Sequence, residues 1–246
     1  MTQYNPDTQR LFFDGLDNCR ELGGMPLSNG NIFKKNIFLR SDSLSDLNEA
    51  QVNSLVEYGV GCVIDLRSEA EIANYGNPMQ HRSEVKFYPC SLFVGNPEAV
   101  EDKTMVFLQT HHLGDFYCML LKELPDKVIQ VLRILKNENT LCLFHCAHGK
   151  DRTGVIAAIL YLLTGASRED IILNYEVSYK YKYDYLSDLE KDKPDNMKHT
   201  MRSDRINMEI FLDFIDSEYS GDIRNYLIAN GMQQSEIDEL IHKCTA

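Results

Sequence analysis

Two spacings of apolar residues divide the chain. Val60 to Leu66 is an almost unbroken apolar run rich in β-branched side chains, the pattern of a strand covered on both faces. Leu141 to Phe144 repeats it in shorter form. Asn36 to Leu39 and Val85 to Tyr88, the latter stopping at Pro89, complete the predicted strands. Helical spacing fills the intervals. Ser45 to Tyr58 places Leu47, Val52, Leu55 and Val56 on one side, with Gly59 as a stop. Asp126 to Asn137 carries Val128, Val131, Leu132 and Leu135 at i, i+3, i+4 and i+7. Leu113 to Glu123 and the apolar segment Arg152 to Leu163 read as two further helices. Ser167 with Asp170 resembles a capping box opening a helix through about Tyr185. A polar stretch around Pro194 follows. Short helices then close the chain, one faced by Met208, Phe211, Leu212 and Ile215 and the last capped by Ser235. The first 45 residues are turn-rich, with Gly23-Gly24 and a hairpin-type Asn29-Gly30. Strands alternating with helices predict an α/β fold with a mostly parallel central sheet flanked by helices. No composition shift marks a boundary. The expectation is a single domain over residues 1–246, with a helical C-terminal part from about 165 to 246.

Composition adds mainly exclusions. With 43% hydrophobic and 25% charged residues, the 246-residue chain has ordinary globular content and needs no disulfide or metal to close its core. A net charge of −12 argues against a broad nucleic-acid or anionic-membrane face. Its first residues show no secretory pattern, and the longest apolar run, Val155 to Leu163, is too short to span a bilayer. Seven scattered cysteines without a CxxC pair read as reduced thiols. The cytoplasm is the expected location, export by a non-classical route being left open.

One cysteine stands apart. His145 to Gly154, HCAHGKDRTG, lies between a predicted buried strand and an apolar helix, with Cys146 and Arg152 separated by five residues and Gly149 midway. A loop of this length entering a helix can aim successive N–H groups inward as a cradle for a tetrahedral anion, at the positive end of the helix. Arg152 can fold a bidentate guanidinium over that anion. The same donors favour the thiolate of Cys146, placed for in-line attack on phosphorus. A Walker A loop fails, since Phe144 and Asp151 occupy its required Gly and Ser/Thr positions. Zinc on His145, Cys146 and His148 is disfavoured because adjacent residues do not easily converge on one ion. A zinc deaminase is excluded by the missing CxxC. No metal and no organic cofactor is expected.

These residues carry a resemblance. HCxxGKDRTG is similar to the phosphate loop of the cysteine-dependent protein tyrosine phosphatases, and with Lys150 and Asp151 resembles the bacterial PtpB/LipA-like group, atypical phosphatases active on phosphotyrosine and often on phosphoinositides. Asn18 to Gly24, Leu39-Arg40-Ser41 and Asp65-Leu66-Arg67-Ser68 resemble three further elements of that group, with Cys19 and Glu21 as departures read as packing matters. The resemblance implies a protein tyrosine phosphatase-like fold, Cys146 as nucleophile, Arg152 as clamp, Thr153 as helper of the second step and His145 as a brace. Ala147, His148, Gly149 and Lys150 would complete the phosphate site, Lys150 as a cation at the rim for a second phosphate. The general acid is left between Asp151, which is preferred, and Asp65, which can instead hold a loop arginine. The group lacks the Trp-Pro-Asp loop of larger tyrosine phosphatases, as does this chain with no tryptophan.

The expected partners are phosphorylated proteins or phosphoinositides as substrates, with no nucleic acid and no stable membrane insertion. The rivals are an inositol-phosphate phosphatase using the same loop and a silent phosphate-reading module. Tyr179 to Tyr183 alternates tyrosine and lysine. It reads as an amphipathic helix with Tyr175 and Tyr179 inward and the lysines in water, or as a lid over the pocket. His111-His112 reads as a helix start, Lys191 to Arg205 as a solvated loop, and Cys142 as a possible resolving partner for Cys146.

Overall fold

The computed structural model describes residues 4–97, 99 and 101–245. Its centre is a five-stranded sheet: β1 (Arg20–Glu21), β2 (Phe38–Ser41), β3 (Val60–Asp65), β4 (Lys86–Pro89) and β5 (Leu141–His145), in the order β1-β2-β5-β3-β4. β2, β5, β3 and β4 run parallel, and β1 alone is antiparallel. Period-two alternation sorts the strand side chains onto two faces. Phe38, Ile64 and Phe144 join the larger core cluster, while Leu39, Val63 and Leu143 join the smaller one.

The smaller face is covered by α1 (Glu49–Glu57), whose Val52 and Leu55 are buried. α2 (Glu69–Tyr75) and α3 (Lys103–Leu108) are short helices between strands. On the larger face lie α4 (Leu113–Glu123), α5 (Pro125–Asn137), α6 (Asp151–Thr164) and α7 (Arg168–Tyr181); α8 (Tyr183–Lys191) packs against α7 and the 195–201 segment, and α9 (Arg205–Tyr219), α10 (Ile223–Ala229) and α11 (Gln234–Thr245) return to the larger core. α6 is buried along nearly its whole length, as expected of a helix apolar all round. Gly165 ends it in the left-handed region at φ 83°. Among the described residues no helix is long and apolar enough to cross a membrane.

The long strands and helices lie where the apolar pattern puts them, and the α/β class with a mostly parallel sheet is correct. Several details differ. α1 starts at Glu49, not Ser45, because Asn48 and Gln51 form its capping box, while the Ser45 hydroxyl is spent on Gly76 O. The single helix expected to reach Tyr185 is two. The break falls at Lys182, whose ammonium is drawn to Asp42 at 2.7 Å and Asp17 at 3.2 Å instead of into water. Ser235 sits inside the first turn of α11 and does not cap it; Glu236 reaches back to the Gln233 amide. The polar 191–205 stretch contains a short 3-10 helix, Asp195–Met201, that buries Met197 and Met201. Cys142 lies opposite Cys62 in the β3–β5 register, and four strand residues put it about 13 Å along the strand from Cys146, too far for a disulfide.

Candidate active site

Ser41, Asp65 and His145 are register partners, so β2, β3 and β5 end at one level, the carboxyl edge where parallel sheets bind ligands. Directly beyond β5, residues 146–150 form the loop that feeds α6. Its shape is imposed through its carbonyls. His145 O accepts from Leu66 N at 2.8 Å, Ala147 O from Ser43 N at 3.0 Å and Lys150 O from Gly154 N at 2.9 Å. Cys146 O accepts from His145 Nδ1 at 3.0 Å, His148 O from Asn18 Nδ2 at 2.9 Å and Gly149 O from Arg40 Nη2 at 2.8 Å. Every carbonyl from 145 to 150 is thereby tied to the scaffold. Among the described residues, no amide from Cys146 to Arg152 meets a protein acceptor. A loop with its oxygens anchored and its N–H groups free is a receptor for an anion.

Gly149 makes the turn possible. It adopts φ +65°, and a Cβ there would lie 2.5 Å from Ser41 O and 2.6 Å from Asp42 N. Arg40, fully buried, also binds Asn174 Oδ1 at 2.7 Å, and burial with neighbouring Arg20 pushes its guanidinium down to about 9.

Cys146 is buried at the base of the loop. Arg152 makes a bidentate ion pair with Glu71, Nη1 to Oε2 at 2.6 Å and Nη2 to Oε1 at 2.9 Å, and sits 5.7 Å from the Phe93 ring centre. Burial works against the charge of Arg152, but Glu71, Cys146 and Asp151 outweigh it and hold the guanidinium above its ordinary value. Burial likewise opposes ionisation of Glu71, and Arg152 overrides it, so this carboxyl is held below its usual range. Because Glu71 occupies the Nη1–Nη2 end of the guanidinium, the Nε side remains for an oxyanion. Glu71 was missed in the sequence; its one signal is the Ser68-x-x-Glu71 capping box at the start of α2.

The two acid candidates separate. Asp65 accepts from Arg67 Nε at 2.9 Å, Arg67 Nη2 at 2.7 Å and Asn77 Nδ2 at 2.9 Å, with no exposed surface. Burial alone would raise it, but His145, Arg67 and Asn77 hold the carboxyl down at about 2. A carboxylate so saturated with donors holds Arg67 and gives no proton. Its place in the site is structural. Asp151 opens α6 and is only partly buried; its Oδ1 accepts from the Tyr117 hydroxyl and from Lys150 Nζ.

Lys150 is not at the rim. Its ammonium is fully buried and donates to Thr200 O at 3.0 Å and Arg202 O at 2.8 Å, locking the loop to the 3-10 segment. This corrects its reading as a cation for a second phosphate: the carbonyls of residues 200 and 202, remote in sequence, capture it. Burial pushes His145 below its ordinary value although Asp65 pulls the other way, and burial with Lys150 pushes His148 down to about 4. Both rings are therefore neutral near pH 7. The His148 ring lies 6.0 Å from that of exposed Tyr185 on α8. The Thr153 hydroxyl is buried without a hydrogen-bond partner. Ala147 is half-buried in the loop between Cys146 and His148. Among the described residues no three His, Cys, Asp or Glu side chains are grouped to hold a metal ion.

A tyrosine-protein phosphatase of Nostoc commune is 31% identical over 163 residues, 66% of this chain and 53% of that protein. A Cupriavidus necator protein provisionally named for the same activity is 27% identical over 172 residues, 67% of this chain and 61% of its own. The chain thus spans between half and two thirds of the length of these relatives. The crystal structure of P. aeruginosa TpbA in complex with phosphotyrosine aligns over 80% of this chain and 88% of its own, with a TM-score of 0.41 and 17% identity. The profile of the tyrosine phosphatase family matches residues 11–246, and the chain belongs to that family.

Proposed function

We propose that the protein hydrolyses phosphate monoesters, phosphotyrosine foremost, through a phosphocysteine intermediate. One observation carries the reading: every carbonyl from His145 to Lys150 is tied to the scaffold, leaving the amides around Cys146 for the three equatorial oxygens of a transferring phosphoryl group. The Cys146 thiolate attacks phosphorus in line with the ester oxygen. The S–P bond forms, the P–O bond breaks, and the leaving oxygen takes a proton from Asp151. Water then attacks phosphorus, losing a proton to the Asp151 carboxylate, and the thiolate departs. Arg152, oriented by Glu71, grips the equatorial oxygens. The partnerless Thr153 hydroxyl is available to support the departing sulfur. Phe93 beside Arg152 and Tyr185 beside His148 supply apolar walls suited to an aryl group, α8 serving as rim or lid.

The Lys150-Asp151 pair and the absence of tryptophan support placement in the PtpB/LipA-like group. Phosphoserine and phosphothreonine fit the same chemistry. Phosphoinositides and soluble inositol phosphates need further cations, and Lys150 is already committed to two carbonyls. The free cysteines suit a reducing compartment such as the cytoplasm. Cys146→Ser should abolish release of phosphate from an aryl phosphate while retaining anion binding, and the native activity should resist EDTA and yield to vanadate. Full turnover by Cys146→Ser would overturn the mechanism. A panel of phosphopeptides, phosphoinositides and inositol phosphates ranks the substrates.

A further inference from the structure

Asp151 is the end of a buried hydrogen-bond chain that crosses three helices. Asn207 Nδ2, at the start of α9, donates to the Tyr175 hydroxyl of α7 at 3.2 Å. The Tyr175 and Tyr117 hydroxyls lie 2.6 Å apart, and the Tyr117 hydroxyl, on α4, meets Asp151 Oδ1. All three donors are buried.

The chain has a direction. An amide NH2 only donates and an ionised carboxylate only accepts, while each phenol has a single proton. The proton of Tyr117 must go to Asp151, so Tyr175 must donate to Tyr117, and Asn207 to Tyr175. Burial, and then the charge of Asp151, hold both phenols well above their ordinary values, so they remain donors throughout the working range of pH. Lys150 Nζ adds a second donor to the same Oδ1 at 3.0 Å. With two donors aimed at it, Oδ1 has no room for a proton of its own. A protonated Asp151 therefore carries its hydrogen on Oδ2.

Two glycines let the helices come close enough for the chain to connect. A Cβ on Gly114 of α4 would lie 2.5 Å from Asn207 O, and one on Gly154 of α6 would lie 3.2 Å from Tyr175 Cδ2. Packing alone would need only the aromatic rings; the hydroxyls add orientation.

We propose that Tyr117 and Tyr175, backed by Asn207, are positioning residues that fix Asp151 so that Oδ2 alone delivers the proton to the leaving group. The inference rests on Asp151 being the general acid, and the test separates the two ideas. kcat/KM, which reports steps up to phosphoenzyme formation, is measured for the native protein and for Tyr117→Phe, Tyr175→Phe and Asp151→Asn. The substrates are aryl phosphates whose leaving phenols range from weakly to strongly acidic. Asp151→Asn should lose about 100-fold on phenyl phosphate and little on 2,4-dinitrophenyl phosphate, whose leaving group needs no proton. Tyr117→Phe should show the same gradient at about tenfold, with Tyr175→Phe following in the same direction. Adding Tyr117→Phe to Asp151→Asn should cost nothing further on phenyl phosphate. A purely structural role would instead lower all substrates equally. A flat loss, or none, in both tyrosine variants beside a steep gradient in Asp151→Asn overturns the positioning proposal and leaves the acid in place. A flat profile in Asp151→Asn overturns both. If Tyr117→Phe does not fold, Tyr175→Phe, one step further from the loop, decides the question by the same gradient.

Discussion

Glu71→Gln isolates the charge that Arg152 leans on. Glutamine keeps the side-chain length and an acceptor oxygen for the Ser68 amide, so the cap of α2 survives in outline. What disappears is the carboxylate facing the guanidinium of Arg152, a residue only 8% exposed. Removing one partner of a buried ion pair costs about 3–5 kcal/mol, and the retained acceptor places this variant at the lower end, about 3 kcal/mol. In a chain of this size each kcal/mol moves Tm by about 2–4 °C, so the variant should melt about 6–12 °C early. An oxyanion in the loop would supply the missing negative charge on the Nε side of the guanidinium. Scanning calorimetry in anion-free buffer and at saturating inorganic phosphate should therefore show the gap between native and variant shrinking to less than half. A gap that is the same with and without phosphate would refute the idea that Glu71 and a loop-bound anion share Arg152. No gap at all would show that the pair contributes nothing to the fold.

Gly149→Ala forces a Cβ into Ser41 O at a left-handed φ; a displacement of about 1 Å in the loop should cost about 100-fold in kcat/KM while far-ultraviolet circular dichroism stays native. Asp65 is held at about 2 against an ordinary 3.8, so its contribution is complete above about pH 4 and fades as pH falls towards 2. Asp65→Asn should thus lose about 2 kcal/mol in urea unfolding at pH 7, and roughly half of that at pH 3. Lys150→Met should speed hydrogen exchange across residues 195–202 without changing the preference between singly and doubly phosphorylated substrates. A selective loss on the doubly phosphorylated ones would return the ammonium to the rim.

The sheet and the reactive loop were legible in the sequence because their causes are local. A strand buried on both faces must be apolar throughout, as β3 and β5 are, and the Cys146–Arg152 spacing with Gly149 follows from the geometry of one short loop. Positions governed by distant partners were not legible. Lys150 looks like any loop lysine until the carbonyls of Thr200 and Arg202 fold against it. Glu71 looks like a helix cap, which it is, and nothing nearby announces that the same carboxylate clasps a residue 81 positions away. Tyr117 is an ordinary core aromatic by spacing, and its hydroxyl gains meaning only beside Asp151. Short elements such as β1 and α2 escaped because two to seven residues are too few to show a period.

The anchoring of the loop also bears on how activity arises during synthesis. Its restraints come from Asn18, 130 positions before His148, and from Thr200 and Arg202, 50 and 52 positions after Lys150. A nascent chain made only as far as residue 160 holds Cys146 and Arg152, yet not the far side of the mould that shapes the loop between them. Such a nascent fragment holds a cysteine and no catalyst. On the proposed function, phosphate release needs the segments around Asn18 and around residues 200–202 closed about the loop, so fragments lacking either should not hydrolyse an aryl phosphate.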